Sequence, residues 1–597
     1  MRGKTVFILL LTGAACALSA SCGGGSSTAG AAPAPTPSPI TLTLASSSVE
    51  VLQDGTPAAV DVTVARPAGN DKSVTLSVTG LPSGLSDQIA DPGTGDSGKI
   101  TFTSQSAAAG TYPLTIKATD GATTATAGLS VVVAIVATVS MAVNTSEGEN
   151  GILNDFMSTS FQPASWSDQF FVNNPGATTP LDALQSQHIR IQALEKDVPM
   201  TGPTTWDFTR LDGMVNPILS VADHSPEFQV AVAPAWMDDA SGHLDMTNHL
   251  QDFANYCANL VRYYDTGGFD AGGQHYQSSS PYSITWWGIF NEPNLNGLTP
   301  TQYVQLYNAV VPAMLAVDAN LKFVAVELSD FGTQAEQYIP PFVSGVTAPV
   351  DAVGTHFYST CNQQDSDQQL FSTIPQFVNG VKYIYSQLAT KFPTVPVWVT
   401  ENNVNADYDK GGGISACNGT AFVLDQRGTS AFFAAWRPYF FSQLSRAGNQ
   451  GLYHWDFNAG AQFGEVNGTT DQTYRSYWVD YWLERYFPTP PGSEILDLTA
   501  TETSTVEVLA TVRNDGTVVI MIANHAVQNS TDNNGAGAPR TVVVDLSQWG
   551  AFSSATLLTI DAGTDPVAGP KQEAVTPAAQ MTVTLNGYGV AFLALTK

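Results

Sequence analysis

A change in the hydrophobic rhythm along the chain constrains the fold more than any other feature. Between about residues 136 and 487, short apolar runs alternate with longer segments whose apolar residues recur at three and four positions. This alternation is typical of βα units around a parallel sheet. Eight of the short runs are predicted strands: 138–144, 188–192, 228–234, 283–290, 322–326, 350–356, 395–401 and 451–455. Eight strand–helix units in roughly 350 residues predict a central (β/α)₈ TIM barrel over residues 136–487, with an open doubly wound sheet as the alternative.

The segments on both sides of the predicted barrel follow a different pattern. In residues 40–135 and again in residues 488–597, apolar and polar residues alternate over short runs that turn residues separate. This pattern predicts an antiparallel β-sandwich on each side of the barrel. The N-terminal sandwich resembles the immunoglobulin-like modules of bacterial surface proteins. Residues 23–39 are rich in Gly, Ser, Ala and Pro and predict a linker ahead of it.

The first 22 residues have the features of an export signal. Arg2 and Lys4 precede an apolar stretch that is too short to span a bilayer, and small residues follow up to Cys22. The four residues that end in Cys22 (SASC) resemble a bacterial lipoprotein cleavage site, which makes Cys22 the predicted lipidation site. Ordinary signal cleavage nearby is the alternative. Both hypotheses predict an exported protein of bacterial type, either a cell-envelope lipoprotein or a secreted protein.

The composition argues against several classes of partner. Hydrophobic residues make up 43% of the chain and charged residues 13%, which indicates a folded protein. Acidic residues outnumber basic ones 52 to 23, and the formal charge is −29. Such a surface repels nucleic-acid backbones and anionic membranes, so we expect a neutral substrate, with membrane contact only through an N-terminal lipid.

Three cysteines lie beyond the predicted signal. Cys361 and Cys417 both fall in loop-like sequence, and in an exported protein they are candidates for a disulfide. Cys257 lies in an apolar helical pattern and is predicted to be a buried thiol. No Cys/His cluster or HExxH motif indicates a metal site, and no cofactor is predicted.

Two predicted strands end in a glutamate. The fourth leads into Asn291-Glu292-Pro293, and the seventh ends at Glu401. In barrel enzymes the chemistry lies at the C-terminal ends of the strands, so both carboxyl groups are expected to face one pocket. Two carboxyl groups across a pocket suit the cleavage of a glycosidic bond, which needs one proton donor and one nucleophile or base. Glu292 and Glu401 are therefore the predicted catalytic pair.

Further residues at or near predicted strand ends are candidates for binding or support: Asn144, Arg190, Trp236, Asn291, His356, Tyr358 and Trp455. Arg190 could hold Glu401 ionised, and a packed rim ion pair is the alternative. His356 and Tyr358 could orient Glu401 or contact sugar, although a lone His there could also be a satisfied core residue. Trp455 and Trp236 could pack against the apolar face of a sugar ring, with core packing as the alternative for Trp236.

The barrel segment resembles the clan A glycoside hydrolases, in which the acid/base follows Asn at the end of strand four and the nucleophile ends strand seven. Within the clan it is most similar to family 39, the β-xylosidases and α-L-iduronidases. The similarity rests on Phe290-Asn291-Glu292-Pro293-Asn294-Leu295, and on Trp206-Asp207-Phe208 with Leu211-Asp212. It departs from the pattern at Asn402-Asn403, where an aromatic residue is commoner after the nucleophile.

The resemblance implies a retaining O-glycosyl hydrolase that acts by double displacement on plant or microbial polysaccharides or oligosaccharides. Glu401 is then the nucleophile and Glu292 the general acid/base. One alternative is a surface carbohydrate-binding or adhesive lipoprotein whose barrel is inactive. Another is an endo-acting glycanase on an exopolysaccharide, which shares the chemistry and differs in substrate.

Overall fold

The computed structural model describes most of the chain. The described residues are 39–53, 55–142, 158–162, 170–186, 188–194, 196–221, 225–458, 460–487, 494–500, 504–513 and 515–597. The predicted signal with Cys22, most of the predicted linker, and Asn144 lie outside them. Within the described ranges, no helix combines the length and the apolar character that crossing a membrane requires.

The N-terminal domain is built from β-strands alone. One sheet has the order β1-β3-β6-β5, and β4, β7 and β8 belong to a second sheet in which β2 also pairs with β8. Apolar side chains of both sheets meet in one core, because inward and outward residues alternate along strands such as β3. The strands are β1 (Thr41–Leu44), β2 (Ser48–Leu52), β3 (Ala58–Ala65), β4 (Thr75–Thr79), β5 (Leu85–Ala90), β6 (Ser97–Ser104), β7 (Gly110–Thr119) and β8 (Thr124–Ala142).

The central domain is a barrel-like sheet of eight strands, all parallel to their neighbours, in the order β10-β13-β16-β17-β18-β19-β20-β9. The strands are β9 (Ser158–Gln162), β10 (Arg190–Ala193), β13 (Glu227–Val230), β16 (Trp286–Ile289), β17 (Lys322–Leu328), β18 (Ala352–Thr360), β19 (Val397–Asn405) and β20 (Gly451–Trp455). Two hairpins lie in the connections, β11 (Met200–Gly202) with β12 (Thr205–Trp206) and β14 (Phe269–Ala271) with β15 (Gln274–Tyr276).

Helices follow each of these strands along the chain, as parallel pairing requires. They are α1 (Phe170–Asn173), α2 (Thr178–Leu184), α3 (Thr209–Val221), α4 (Leu250–Tyr264), α5 (Pro300–Leu315), α6 (Thr333–Gly345), α7 (Asp367–Leu388), α8 (Ala431–Ala447) and α9 (Arg475–Tyr486). Helix α5 begins with a capping box, in which Thr299 and Gln302 bond each other's backbone N–H groups. Asp212 of α3 accepts hydrogen bonds from Tyr263 (2.7 Å) and Tyr264 (3.0 Å) of α4, so this part of the family-like motif joins two helices.

The C-terminal domain is again made of strands. Six form the sheet β21-β23-β24-β29-β26-β27, while β25, β28 and β22 belong to the sheet that contains β8. They are β21 (Glu494–Ile495), β22 (Asp497–Ala500), β23 (Val506–Val512), β24 (Val518–Asn524), β25 (Arg540–Asp545), β26 (Ser554–Asp561), β27 (Gln572–Val575), β28 (Gln580–Leu585) and β29 (Gly589–Thr596). The prediction of a multidomain chain, with a barrel-like parallel sheet between β-sheet domains, is confirmed at this level.

Strand β8 connects the two outer domains and corrects one predicted strand. Its first part pairs with β7 and β2, and its second part pairs with β25 and β22. The described part of the predicted first barrel strand (138–144), residues 138–142, therefore runs in the sheet shared by the outer domains, and β9 occupies the expected place in the barrel. The expected boundary between residues 135 and 136 falls inside β8. Periodicity identifies a strand here but cannot say which sheet the strand joins.

The C-terminal domain packs directly on the barrel. Leu509, Met521 and Phe592 belong to the same continuous apolar core as the barrel helices. Asp367 at the start of α7 accepts backbone N–H groups from Asn534 and Gly535, each at 2.8 Å. Because this interface is apolar and hydrogen-bonded, the domain supports the barrel wall formed by α7 and α8.

A buried ionic network joins β19, β20, α8 and α9. Arg437 donates to Asp480 at 2.8 and 3.1 Å and to Asn402 at 2.6 Å. Nδ1 of His454 lies 3.1 Å from Asp480 and 2.8 Å from Glu465. All five side chains are fully or almost fully buried, so each charge depends on its partners for solvation.

We expect Arg437→Met to lower the free energy of unfolding by about 3–5 kcal/mol, because Asp480 would remain as a buried charge without its guanidinium partner. Denaturant unfolding followed by tryptophan fluorescence measures this change. Arg262→Met on α4 is the control, because its guanidinium is partly exposed and donates to the neutral side chain of Asn259 at 2.8 Å. Its expected effect is within about 0.5 kcal/mol, and equal losses in both variants would contradict the role of the network.

Candidate active site

A cleft of about 850 Å³ opens over the ends of the parallel strands. It is lined by Glu292, His356, Tyr358, Glu401 and Trp455, together with residues of the loops that follow these strands. The cleft thus lies where barrel-type parallel sheets carry their functional residues.

Glu292 stands on an unusual backbone turn just after β16. Phe290 (φ 69°) and Glu292 (φ 42°) both have left-handed conformations, which are uncommon for residues with a side chain. The N–H of Glu292 donates to the carbonyl of Glu327 at 3.1 Å, and the N–H of Asn291 donates to Ala231 at 2.9 Å. Neighbouring strands therefore hold the turn from both sides. The turn directs the Glu292 carboxyl group into the cleft, where Nδ1 of His356 lies 2.9 Å away.

Glu401 is held by donors on both of its carboxylate oxygens. Arg190 (2.8 Å) and Gln192 (3.1 Å) donate to Oε1. Tyr358 donates to Oε2 at 3.1 Å, and Nδ1 of His356 lies 3.5 Å from the same oxygen. These contacts orient the carboxylate and compensate its charge.

A chain of amide groups links Glu401 to the Asn beside Glu292. Gln192 donates to Oε1 of Gln229 at 2.8 Å, and Gln229 donates to Oδ1 of Asn291 at 2.9 Å. Arg190 also donates to Oδ1 of Asn291, at 3.2 Å. Because Oδ1 of Asn291 accepts both bonds, its side-chain NH₂ group does not take part in this chain of hydrogen bonds. Asn291 lines the cleft, so this NH₂ group can donate to a molecule bound there.

The electrostatics of the site favour an ionised Glu401. Burial alone would raise its pKa. The charges of His356 and Arg190, and the hydrogen bonds from Arg190 and Tyr358, outweigh burial and bring the pKa of Glu401 below its ordinary value. Burial, together with the charges of Glu401 and Glu292, raises the pKa of Tyr358 well above its ordinary value, so the hydroxyl keeps its proton and remains a donor.

The two predicted catalytic carboxyl groups lie close together. One carboxylate oxygen each of Glu292 and Glu401, with a ring nitrogen of His356, lie within 4.8 Å of one another. The Glu292 side chain is 20% exposed and that of Glu401 only 8%. Glu292 is therefore the more accessible carboxyl group, and Glu401 is the one enclosed by donors.

The structure brings most of the predicted supporting residues together. Arg190, Asn291, His356 and Tyr358 contact one of the two glutamates or each other, and Trp455 lines the same cleft. Arg190 is the first residue of β10, whereas it was expected at a strand end. Its long side chain runs up the barrel interior and still reaches Glu401.

Trp236 is the predicted residue that the structure places elsewhere. It lies in a 3₁₀ turn after β13 (Ala235–Met237), with its ring edge-on to His249 at 5.2 Å. It packs against the core and is absent from the residues that line the described cleft. The structure thus places the indole against the residue that precedes α4, in the position that the alternative of core packing describes.

The departure at Asn402-Asn403 has a structural explanation. Strand β19 continues past Glu401 to Asn405, so Glu401 lies inside the strand although it was expected at its end. Asn402 donates to the carbonyl of Phe357 at 3.1 Å, and Asn403 donates to the carbonyl of Trp455 at 2.6 Å. Both amides are fully buried, and their hydrogen bonds connect the extended β19 to β18 on one side and to β20 on the other.

Sequence reasoning missed four buried polar residues at the cleft or below it: Gln192, Glu227, Gln229 and Glu327. Gln192 and Gln229 lie within predicted strands, whereas Glu227 directly precedes one and Glu327 directly follows one. Their position in or beside apolar runs was the available signal, because a polar side chain rarely points into a barrel core unless it has partners there.

Among the residues that the structure describes, two groups of side chains have spacing that a metal ion could accept. They are Glu292, His356 and Glu401 in the cleft, and His454, Glu465 and Asp480. In each group one carboxylate is already paired with an arginine, Glu401 with Arg190 and Asp480 with Arg437.

A disulfide joins Cys361 and Cys417 at the edge of the cleft. Their Cα atoms are 5.9 Å apart, and the bond links the loop after β18 to the loop after β19. Both cysteines line the cleft. Asp407 supports the second loop by accepting the hydroxyl of Ser415 (2.8 Å) and the N–H of Cys417 (3.0 Å). Cys257 is a buried free thiol, as its helical pattern predicts.

Comparison with known proteins identifies the fold. No family model matches the sequence, and no curated protein is similar to it. The structure is similar to a β-xylosidase from Caulobacter crescentus, with a TM-score of 0.53 and 14% identity over 77% of this chain and 99% of that chain. A glucosidase from Croceicoccus marinus (TM-score 0.48, 16% identity, 77% and 99% covered) also matches. So does a family 44 xyloglucanase from Paenibacillus polymyxa (0.48, 11%, 77% and 100%). The first of these matches shows that the chain shares its fold with a β-xylosidase.

We expect the double variant Cys361→Ser/Cys417→Ser to lower the free energy of unfolding by about 2–4 kcal/mol. The bond closes a segment with a sequence separation of 56, and its loss increases the entropy of the unfolded chain. Unfolding of the variant, beside wild type with and without reductant, measures the effect. Reduced wild type should match the variant, and an unchanged unfolding midpoint in both would show that the disulfide does not stabilise the protein.

Proposed function

We propose that the protein is a retaining glycoside hydrolase with Glu401 as nucleophile and Glu292 as general acid/base. The observation that carries this proposal is the approach of the two carboxyl groups, with one oxygen of each within 4.8 Å. Retaining enzymes need carboxyl groups about 5–5.5 Å apart, whereas inverting enzymes need about 6.5–9.5 Å to admit a water molecule. The short separation favours direct attack by one of the two carboxylates.

The surroundings distinguish the roles of the two glutamates. Arg190 and Gln192 both bind Oε1 of Glu401, so Oε2 is the oxygen that attacks the anomeric carbon. As that bond forms, the glycosidic C–O bond breaks and Glu292 gives its proton to the leaving oxygen. The more exposed position of Glu292 suits a group that must exchange protons with leaving group and water.

The second step returns the enzyme to its starting state. Glu292, now ionised, takes a proton from a water molecule, and the water oxygen attacks the anomeric carbon of the glycosyl-enzyme. The ester bond to Glu401 breaks, and its carboxylate returns to the donors of Arg190, Gln192 and Tyr358. His356, close to both carboxyl groups, is placed to orient them as their charges exchange.

We propose a neutral sugar substrate from plant or microbial glycans, with β-xylosidase-like action as the first candidate. Support comes from the acidic composition of the chain, from the family 39 resemblance, and from the fold shared with a β-xylosidase. We further propose that the eight strands form a closed (β/α)₈ barrel, since each strand is followed by a helix. Export through residues 1–22, with Cys22 lipidated, completes the proposal.

Aryl β-glycoside hydrolysis by wild type, Glu292→Ala and Glu401→Ala tests the catalytic pair. Both variants should lose about 10³-fold or more in rate. Azide should restore turnover in Glu292→Ala with a glycosyl azide of retained configuration, because the small anion attacks the glycosyl-enzyme from the space of the missing acid/base. In Glu401→Ala it would take the place of the nucleophile and give the inverted azide. NMR of the wild-type reaction should show the product first in the substrate's anomeric configuration. Inverted product, or full activity in both variants, would refute the assignment.

Tyr358→Phe should shift the acid limb of the pH profile. The substitution removes a hydrogen bond that stabilises the Glu401 carboxylate, so the pKa of Glu401 rises and more alkaline conditions are needed to ionise it. We expect the acid limb of kcat/KM to move up by about one pH unit. Tyr276→Phe is the control, because that hydroxyl donates to Gln274 in the β14–β15 connection. A profile that keeps its position in Tyr358→Phe would argue against this contact.

A further inference from the structure

A third glutamate lies directly beneath the two catalytic candidates. Glu327 belongs to β17, its side chain is fully buried, and its Oε2 lies 2.5 Å from Nη2 of Arg190. The other amino group of the same guanidinium, Nη1, binds Glu401 at 2.8 Å. Glu327 and Glu401 therefore share one cation. Glu327 is absent from the described lining of the cleft, so any influence on the reaction passes through Arg190.

The barrel interior is shaped to admit the Glu327 side chain. A Cβ atom added at Gly288 of β16 would stand against Oε1 of Glu327, and one added at Gly354 of β18 would lie 2.5 Å from its Cγ. Strands on both sides of β17 thus carry glycine where its side chain needs room. Val326 (φ 78°) and Glu327 (φ 43°) also have left-handed backbones, a strain that functional positions often carry.

Charged and titratable groups face Glu327 from several elements of the barrel: Arg190 from β10, Glu227 from β13, Tyr303 from α5 and Glu401 from β19. Glu292 follows β16, and its N–H donates to the carbonyl of Glu327. His356, on β18, lies between Glu292 and Glu401. Arg190 is the one cation in this group that stays charged at every pH of interest, and three buried carboxyl groups compete for it.

The two lower glutamates differ in how closely they approach that cation. Oε1 of Glu227 is 3.8 Å from Nε of Arg190, whereas Glu327 makes a direct contact. Burial, and then the charge of Glu327, raise the pKa of Glu227 above its ordinary value, and Arg190 only partly offsets them. The raised pKa favours the protonated form of Glu227, and Glu327 is the glutamate in direct contact with the guanidinium.

We propose that Glu327 is a positioning residue for the reaction proposed above. Glu327 fixes the position of the Arg190 guanidinium from the side opposite to the cleft. Because the positive charge of Arg190 is shared between Glu327 and Glu401, it stabilises the Glu401 anion less than it would if it bound Glu401 alone. A carboxylate that is too strongly stabilised is a weaker nucleophile, because its basicity falls with its pKa. The inference rests on the proposed glycoside hydrolysis and adds a residue that tunes the nucleophile without touching the substrate.

Glu327→Gln tests this role, because the amide keeps the shape and removes the charge. The positive charge of Arg190 would then act on Glu401 alone, and Glu401 would no longer have the negative charge of Glu327 nearby. Both changes favour the ionised form of Glu401, so its pKa should fall. We expect the acid limb of kcat/KM to move down by about one pH unit, opposite in sign to Tyr358→Phe. The plateau rate should fall several-fold, because the nucleophile is less basic.

Glu227→Gln is the matched control. Glu227 is as deeply buried as Glu327 and lies beside the same guanidinium, but its raised pKa favours the protonated form. The substitution should therefore leave the acid limb of kcat/KM where it is in the wild type. Both profiles are measured from pH 3 to 8 on the wild type's best aryl glycoside, with unfolding midpoints recorded in parallel. A merely structural role of Glu327 would lower the rate at every pH and leave the limb in place, and that result would overturn the inference.

Glu327→Asp decides the case if Glu327→Gln does not fold. The shorter acid withdraws from Arg190 and leaves more of the guanidinium to Glu401, so the acid limb should move down, by less than in Glu327→Gln. An acid limb that stays in place in this variant would overturn the inference. Failure of the wild type to hydrolyse any glycoside would refute the proposed function, whereas hydrolysis with an unmoved limb in Glu327→Gln would refute only the role of Glu327.

Discussion

The guanidinium of Arg190 is the group on which the rest of the site depends. It is completely buried, and it contacts Glu327, Glu401 and Asn291 while Glu227 lies nearby. Burying several carboxyl groups under a cleft is unfavourable unless a cation and hydrogen bonds compensate them. Burial alone would lower the pKa of Arg190, but the charges of Glu327, Glu401 and Glu227 raise it above its ordinary value. The cation and the carboxylates thus stabilise each other's charged forms.

Local features of the barrel follow from the need to place these groups. Glycines at positions 288 and 354 make room for one carboxylate, and left-handed turns direct the backbone at residues 292 and 327. The same arrangement separates the two candidate catalytic groups by environment. Glu401 lies among donors with little exposure, and Glu292 lies nearer to solvent beside His356. Different surroundings allow two identical side chains to take different protonation states at one pH.

Sequence reasoning succeeded where a local pattern has one physical meaning. Strand candidates 188–192 to 451–455 all lie in the barrel sheet, because an apolar run followed by an amphipathic helix has few other solutions. It was wrong about the described part of 138–144, residues 138–142, where alternation identified a strand but not the sheet that the strand joins. For Trp236 the sequence left two positions open, since an aromatic residue after a strand suits a cleft and a core equally well, and the structure places it against the core.

The sequence by itself determined the alternation of sheet and barrel segments, the strand–helix rhythm of the barrel, and the association of Glu292 and Glu401 with two of its apolar runs. These follow from burial periodicity, which is a local property of the chain. Only the tertiary structure decided that Arg190, at the start of its strand, reaches Glu401, and that Glu327 shares its charge. Those relations join strands far apart in sequence, and their geometry depends on the stagger of the sheet and the length of the side chains, which no local pattern records.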